Sequence, residues 1–272
     1  MSTVVVMVSN RVPMLNNFLR TLVEHEQERD IFIHYQGQDA HQIEFPEGLV
    51  YELMVSPESL GCHAARVLAL RELADHGYES YVNVDDDVEL IEETNWQPAI
   101  DKALTPGTGF VLTNWIKHRN ALPKAVSIMA DEFIPQVFVY NGGGMAYGND
   151  VADLMRGLDP VPTRYDDIWP LTAYLNGYRN YRYRGSLAIH GIMQRGGMNL
   201  YMRREPRPLL CWDWVNYRYL DGQPVGMEYS IPMDSDLKQV AKDTHKAARA
   251  ERGWKLSLIH ISEPTRRTPI SY

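Results

Sequence analysis

The stretch "ESYVNVDDDVEL", residues 79–90, places three consecutive carboxylates after a run of strand-forming residues. Side chains two positions apart on an extended segment share a face, so Asp85 and Asp87 point to one side and Asp86 to the other. Because two carboxylates on one face repel each other, the pattern predicts a bound cation beside Asp85 and Asp87. The alternatives are a solvated strand end and an N-cap for the segment "VELIEETNW" that follows.

Strands and helices alternate along the chain before this stretch. "STVVVMVSN" is a β-branched run typical of a strand buried on both faces, and "VPMLNNFLRTLVEHE" follows with apolar residues at helical spacing. Two more strands, "RDIFIHYQG" and "GLVYELMVS", precede a helix within "PESLGCHAARVLALRELADHG". The alternation predicts an α/β fold with a mainly parallel, doubly wound sheet, in which ligands bind beyond the carboxyl ends of strands. The three aspartates lie at such an end.

The second half of the chain continues this pattern less regularly. "GTGFVLTNW" predicts a strand, and "QVFVYNGGGMAYG" predicts a strand broken by three glycines. A glycine triplet marks a tight turn or a place where a ligand approaches the main chain, so Gly143 and Gly144 are candidate ligand contacts. "DDIWPLTAYLNG" predicts a short helix, and "YRNYRYRGSLAIHG" a final strand.

Composition limits the class of protein. The chain has 272 residues, 44% of them hydrophobic, and two cysteines, Cys62 and Cys211, which give neither a disulfide framework nor metal-site spacing. Apolar runs of 18 residues and the features of a signal peptide are absent, so we expect a soluble protein without a membrane segment, located in the cytoplasm, or in the host cytoplasm if the gene is viral.

Charge is distributed unevenly along the sequence. The formal net charge is -8, yet the segment 179–207 carries seven arginines against one acid, Glu205, which makes it +6. A predicted C-terminal helix, capped by Ser235 or Asp236, adds a basic face whose alternative interpretation is a solvated surface, formed by Lys238, Lys242, Lys246 and Arg249.

Four motifs in this order resemble the GT-A glycosyltransferases, particularly the inverting family-2 enzymes related to cellulose and chitin synthases. The motifs are "VVVMVSNRVPMLNNFLRTL", "LGCHAARVLALRELADHGYESYVNVDDDVEL", "NGGGMAYG" and "RYDDIWPLTAYLNGYRNYRYRGSLAIH". The resemblance covers roughly residues 3–191 and implies a GT-A (Rossmann-like) domain over 1–215. We expect a C-terminal helical and irregular extension over 216–255. Residues 256–272 contain "LSLIHISEPTR", which resembles a translated sequencing adapter, and we expect them to be a non-native tail.

The resemblance assigns chemistry to the acidic motifs. It implies a Mn²⁺ or Mg²⁺ ion held by Asp87, with Asp85 assisting the metal or contacting the ribose, and with His190 completing the site. It also implies that an acidic pair, Asp167 first and Asp166 second, supplies the general base of an inverting transfer. A helix cap accounts for one of these two aspartates, and a core or surface position is the alternative for His190. If the reaction instead retains the configuration of the sugar, the assignment of the general base is wrong, whereas the predicted metal site is unaffected.

The donor is expected to be a UDP-sugar, with UDP-glucose as the default. By resemblance, the uridine-contacting loop after the first strand contains Ser9, Asn10 and Arg11. The "G…AR" helix start contains Gly61 and Arg66, with Arg66 facing the nucleotide. Two polar residues after the second strand are further candidates for contact with the base or ribose: Gln36 and Asp39.

The acceptor is the least constrained part of the interpretation. Arginines interleaved with tyrosines suit phosphate clamping and base stacking, and we expect acceptor or DNA contacts from Arg182, Arg184, Arg195, Arg203 and Arg204. Together with the adapter-like tail of an environmental gene, this favours a phage enzyme that glycosylates hydroxymethylated pyrimidines in DNA. A glycosyltransferase acting on a polysaccharide or protein is the ordinary alternative.

Two other protein classes use a similar layout. A sugar nucleotidyltransferase normally has a glycine-rich basic loop after its first strand, whereas this chain has "SNRVPM" there. A binding module without activity would have no need of the four predicted site residues Asp85, Asp87, Asp167 and His190.

Overall fold

The computed structural model describes residues 2–25, 29–116, 119–136, 143–160, 168–190, 219–220 and 223–224. All of these residues belong to the unit Met1–Met233. The predicted basic helix and adapter-like tail, with most of the predicted C-terminal extension, therefore lie outside the described residues.

The main sheet contains the strands β1 Thr3–Ser9, β2 Asp30–Gln36, β3 Tyr51–Ser56, β4 Ser80–Asp85, β5 Val88–Glu89, β6 Thr108–Ile116, β7 Phe133–Gln136, β8 Met145–Gly148 and β9 Arg179–His190. A separate two-stranded sheet pairs β10 Tyr219–Leu220 with β11 Gln223–Pro224. The helices are α1 Val12–His25, α2 Cys62–Glu72, α3 Gln97–Ala103, α4 Leu122–Val126, α5 Asn149–Arg156 and α6 Ile168–Leu175.

The strand order confirms the predicted α/β class. The main sheet runs β3-β2-β1-β4-β8-β6-β9-β5, and β7 pairs with β9. Its first four strands are parallel, as are β6 and β9, whereas β5, β7 and β8 pair antiparallel with their neighbours. The carboxyl ends of β1, β2 and β4 therefore share one edge, where a doubly wound sheet binds ligands.

Alternating side chains of β1 supply both layers of the core. Val5 and Met7 pack with the apolar stripe of α1, as the helical spacing predicts, whereas Val4 and Val6 pack in the opposite layer with residues of α2. All four valine and methionine side chains are at most 1% exposed. This two-sided burial holds the polar end of β1 rigidly beside the end of β4.

Two strands with different partners border the segment "QVFVYNGGGMAYG", of which residues 137–142 lie outside the described residues. Gln136 ends β7, which pairs with β9, whereas Met145 begins β8, which is inserted between β4 and β6. The glycines separate two strands with different partners, a long-range arrangement that local spacing does not encode. Within the described part of the chain, none of the helices combines the length and apolar character needed to cross a membrane.

Candidate metal centre and active site

Sheet register brings the candidate metal ligands together. Asp85 ends β4 opposite Val8 of β1, and His190 ends β9 opposite Val88 of β5, the residue that follows Asp87. Ligand atoms of Asp85, Asp87 and His190 all lie within 4.8 Å of one another. Nε2 of His190 is 3.1 Å from Oδ1 of Asp87 and 3.6 Å from Oδ2 of Asp85.

Asp86 has different partners from Asp85 and Asp87, but β4 ends at Asp85, so Asp86 and Asp87 lie in a turn and not on the extended segment that the sequence predicted. The Asp86 carboxylate accepts a hydrogen bond from the Ser9 hydroxyl at 2.6 Å and one from Nε of Arg11 at 3.0 Å, and it forms a second contact with the Arg11 guanidinium. The Asp86 side chain is 4% exposed. Burial raises the pKa of its carboxyl group, while Arg11 and Ser9 act to lower this pKa.

The Asp85 carboxylate is held in place by the buried side chain of Arg66. The Arg66 guanidinium donates to the main-chain carbonyls of Val6 and Val84, at 3.0 and 2.9 Å, and to Oδ1 of Asp85 at 3.0 Å. Arg66 is only 1% exposed. Its guanidinium therefore fixes Asp85 against β1 and β4. The nucleotide-facing role expected by resemblance stays a prediction.

Each of the three consecutive carboxylates thus has a different cationic partner. Asp85 contacts Arg66, Asp86 contacts Arg11, and Asp87 contacts His190. Opposite charges within about 4 Å offset the repulsion among neighbouring carboxylates in a low-dielectric setting. This distribution explains how the chain tolerates an acidic triplet at a largely buried strand end.

His190 is the one imidazole among the three candidate metal ligands of the described residues. Burial by itself lowers the pKa of this imidazole, but hydrogen bonds and charges from Asp85 and Asp87 outweigh burial and raise the pKa to about 10. In the metal-free protein the imidazolium is consequently the counter-ion of the two carboxylates. Two carboxylates and one imidazole also form a donor set that suits Mn²⁺, because loss of the His190 proton exposes a nitrogen ligand.

The first loop contains the predicted nucleoside contacts. Ser9 and Arg11 are both engaged with Asp86, and Asn10 between them is partly exposed at the carboxyl edge of the sheet. The side chains of Ser9 and Arg11 therefore organise the loop in this structure.

The predicted contacts after β2 also have protein partners. Gln36 is 5% exposed and accepts a hydrogen bond from the amide of Leu60. Asp39 accepts one from the Tyr35 hydroxyl at 2.5 Å. Gly61 precedes the first turn of α2 with φ of 79°. Gln36 ends β2, Asp39 follows it and Gly61 precedes α2, and all three remain candidates for the base or ribose site.

Gly143 and Gly144 are held against Trp96. The Trp96 indole N–H donates to the Gly143 carbonyl at 2.9 Å, and the indole is fully buried. Gly144 has φ of 130°, and a Cβ there would lie 2.7 Å from Nε1 of Trp96. A Cβ on Gly143 would collide with the carbonyl oxygen of Asn114. Packing of the protein therefore requires both glycines, whatever contact they make with a ligand.

The remaining predicted site residues divide into two groups. Arg184 donates to Glu132 at 3.0 Å and to the carbonyl of Ile128 at 2.7 Å, and Arg182 is half-buried on β9, where burial lowers its pKa. Both arginines are thus integrated into the fold. The other group lies outside the described residues: Asp166, Asp167, Arg195, Arg203 and Arg204.

Two features of the site were not predicted from the sequence. The Trp115 ring stands edge-on to the His190 ring, with centroids 5.0 Å apart, and Glu89 forms an ion pair with Arg119. Trp115 lies near the carboxyl end of β6, so its place at the end of the predicted strand "GTGFVLTNW" could have indicated that it lies near the site. No local pattern indicates that Arg119 reaches Glu89.

Comparison with known proteins identifies the fold. The chain matches no protein-family model and no curated protein sequence. One similar structure is the mannosyltransferase PcManGT from Pyrobaculum calidifontis in complex with GDP-Man and Mn²⁺. Its TM-score is 0.55 at 17% identity, and the alignment covers 94% of this chain and 76% of the PcManGT chain. GalNAc-T7 with UDP, GalNAc and Mn²⁺ has a TM-score of 0.54 at 12% identity over 70% of this chain.

Residues 1–349 of TarS from S. aureus give a TM-score of 0.51 at 16% identity over 69% of this chain. The similarity spans 43% of the GalNAc-T7 chain and 59% of this TarS chain, which is well under two thirds of each. At these identities the comparisons show the fold, and they confirm the predicted GT-A sheet.

Proposed function

We propose that the protein is a metal-dependent glycosyltransferase that transfers a sugar from a nucleotide-sugar to a hydroxyl group. The observation that carries this proposal is the cluster of Asp85, Asp87 and His190 at the ligand-binding edge of a GT-A sheet. Similar folds were solved with UDP and Mn²⁺ or with GDP-Man and Mn²⁺, which supports both the donor class and the metal.

Asp87 and His190 are the proposed principal ligands of Mn²⁺ or Mg²⁺, and Asp85 assists them. An imidazole ligand favours Mn²⁺ over Mg²⁺, which prefers oxygen ligands and retains water. When bound, the metal ion supplies positive charge that stabilises the diphosphate leaving group. Arg66 holds Asp85 in place during this step, because its guanidinium is anchored to two main-chain carbonyls.

The proposed donor is a UDP-sugar, with UDP-glucose as the first to be tested. Its nucleoside would lie along the loops that contain Asn10, Gln36, Asp39 and Gly61, and the main chain at Gly143 and Gly144 would border the sugar. Partial exposure of Asn10, directly after the carboxyl end of β1, supports the first of these contacts.

The proposed chemistry is an inverting displacement. The acceptor oxygen forms a bond to the anomeric carbon as the bond from that carbon to the diphosphate oxygen breaks, and the hydroxyl proton passes to a carboxylate. Asp167 is the proposed general base, and Asp166 is the second candidate for this role. Both assignments rest on the resemblance of the segment "RYDDIWPLTAYLNG" to the family motif.

For the acceptor we propose a hydroxymethylated pyrimidine in DNA, on the basis of the +6 segment 179–207. Arg182 and Arg184 are integrated into β9, so phosphate contacts are assigned mainly to Arg195, Arg203 and Arg204. If these residues bind DNA, neutralising Arg203 and Arg204 weakens DNA affinity and lowers the slope of its salt dependence by about 2. A polysaccharide or protein acceptor leaves this slope unchanged.

A transfer assay tests the proposal. The protein is incubated with Mn²⁺, radiolabelled UDP-sugars, and duplex DNA that contains either 5-hydroxymethylcytosine or cytosine. Label in the hydroxymethylated DNA alone supports both the enzyme class and the acceptor. Release of UDP without label in DNA supports a glycosyltransferase with a saccharide or protein acceptor. If none of the UDP-sugars is broken down, the proposed UDP-sugar donor is wrong.

A further inference from the structure

Asp86 lies at the centre of a closed set of contacts that joins two separate parts of the chain. The Ser9 hydroxyl donates to Oδ2 of Asp86 at 2.6 Å, Nε of Arg11 donates to the same oxygen at 3.0 Å, and the guanidinium also contacts Oδ1. The amide of Arg11 in turn donates to Oγ of Ser9 at 3.1 Å. These three residues are named the Asp86 latch.

The latch fixes the relative orientation of its two sides. A guanidinium that meets both oxygens of one carboxylate is restricted in angle as well as distance. The hydroxyl of Ser9 adds a third direction. Because Ser9 and Arg11 flank Asn10, and Asp86 lies between Asp85 and Asp87, the latch joins the proposed nucleoside loop to the proposed metal ligands.

Stability alone is a weak explanation for this arrangement. Asp86 is 4% exposed and the Arg11 side chain 20% exposed, so both charges lose most of their hydration. A buried ion pair usually stabilises a fold no better than neutral side chains of similar volume, although removal of one partner is strongly destabilising. Neutral side chains would not fix the geometry between the Ser9–Arg11 loop and the segment around Asp86 as the directional hydrogen bonds of the ion pair do.

We propose that Ser9, Arg11 and Asp86 are positioning residues that set the spacing between the nucleoside loop and the metal-binding carboxylates. They control nucleotide affinity without touching the nucleotide. This inference rests on the proposed function and changes the roles of Ser9 and Arg11 from direct contacts to supports of Asn10.

A paired substitution separates positioning from stability. Asp86→Asn or Arg11→Met alone leaves one buried group without its partner, so each lowers the melting temperature. The double variant R11M/D86N removes both charges and recovers most of that loss. We expect its Kd for UDP in the presence of Mn²⁺ to remain raised by about tenfold, because the geometry is not restored. Its affinity for Mn²⁺ without nucleotide changes less.

The matched control is the exposed pair Arg20 and Glu24 on α1, with side chains 56% and 48% exposed. The variant R20M/E24Q should bind UDP like the wild type. If the latch double variant fails to fold, Ser9→Ala removes one hydrogen bond without isolating a charge, and we expect it to raise the Kd for UDP by about threefold.

The outcomes are distinguishable by titration calorimetry and thermal unfolding. Wild-type protein that binds neither UDP nor GDP with Mn²⁺ contradicts the proposed function itself. Wild-type binding of UDP together with recovery of both melting temperature and UDP affinity in R11M/D86N overturns the latch proposal, since a merely structural pair predicts that recovery. Recovered stability with weakened UDP binding supports it.

Discussion

Nε2 of His190 lies 3.1 Å from Oδ1 of Asp87, so a residue from the end of β9 completes a site begun at the end of β4. The contact exists because antiparallel pairing aligns Val88 with His190. In the metal-free protein, the His190 imidazolium therefore partly neutralises the negative charges of Asp85 and Asp87. Metal binding must therefore displace a proton.

Proton release on metal binding follows directly from this contact. The pKa of His190 is raised to about 10, so the imidazole is protonated in the metal-free protein at pH 8. Binding of Mn²⁺ should release about one proton per ion. Calorimetry in buffers of different ionisation enthalpy measures this number, and His190→Gln, which has no proton to lose, should reduce it to near zero. Equal proton release by both proteins would contradict the assignment.

Arg66 is predicted to matter for both stability and metal binding. Arg66→Lys keeps the charge, but an ammonium group does not reproduce the fork that spans Val6, Val84 and Asp85. We expect a loss of roughly 3 kcal/mol in the free energy of unfolding and weaker Mn²⁺ binding. Urea unfolding and calorimetry measure the two effects. Arg20→Lys on the exposed face of α1 is the control, and an Arg66→Lys protein as stable as this control would refute the role.

Gly144 should tolerate a side chain poorly. Its φ of 130° and the predicted 2.7 Å approach of a Cβ to Trp96 combine backbone strain with a steric collision against a buried indole. Gly144→Ala should lower the free energy of unfolding by about 3 kcal/mol. Gly48→Ala is the matched control, because Gly48 has φ of 83° with open space around it, and strain alone should cost about 1 kcal/mol. Equal costs would show that the Trp96 contact contributes nothing.

Acid should destabilise the protein through His34. This fully buried ring donates from Nδ1 to the Ala65 carbonyl at 2.9 Å and accepts at Nε2 from the Ser56 hydroxyl at 2.8 Å, and burial lowers its pKa. The unfolded chain binds a proton at this position below about pH 6.5, whereas the folded chain resists it. Stability is therefore complete above pH 6.5 and decreases as the pH falls.

Urea unfolding at pH 7.5 and 5.5 checks this expectation. The wild type should lose on the order of 1 kcal/mol more over that interval than His34→Gln, which hydrogen-bonds without titrating. His25→Gln, at the exposed end of α1, is the control substitution. A pH dependence unchanged by His34→Gln would show that this ring does not resist protonation.

The sequence was informative where local patterns determine structure. The buried run of β1 and the position of Asp85 at a strand end follow from short-range periodicity. The turn that contains Asp86 and Asp87 was not predicted, because the sequence was interpreted as one extended segment. The proximity of His190 to the aspartates was inferred by resemblance, since no local pattern relates them. The separate pairing of β7 and β8, and the fit of Trp96 against Gly144, depend on contacts between distant segments, which periodicity does not encode.

Arg66 illustrates the same limit at the site. Its place in a helix start was predicted, but its burial under Asp85 depends on how α2 packs against β1 and β4. A charged residue in sequence is expected at the surface, and only the folded structure reveals the two carbonyls and one carboxylate that accept hydrogen bonds from the Arg66 guanidinium.

The most direct test of the central claim is nucleotide release from a panel of UDP- and GDP-sugars with Mn²⁺, measured for the wild type, Asp87→Asn and the exposed control Asp75→Asn. We predict release from at least one donor by the wild type and by Asp75→Asn, abolished by a chelator and by Asp87→Asn. Release that continues undiminished in Asp87→Asn, or no release from any donor by the folded wild type, would contradict the account.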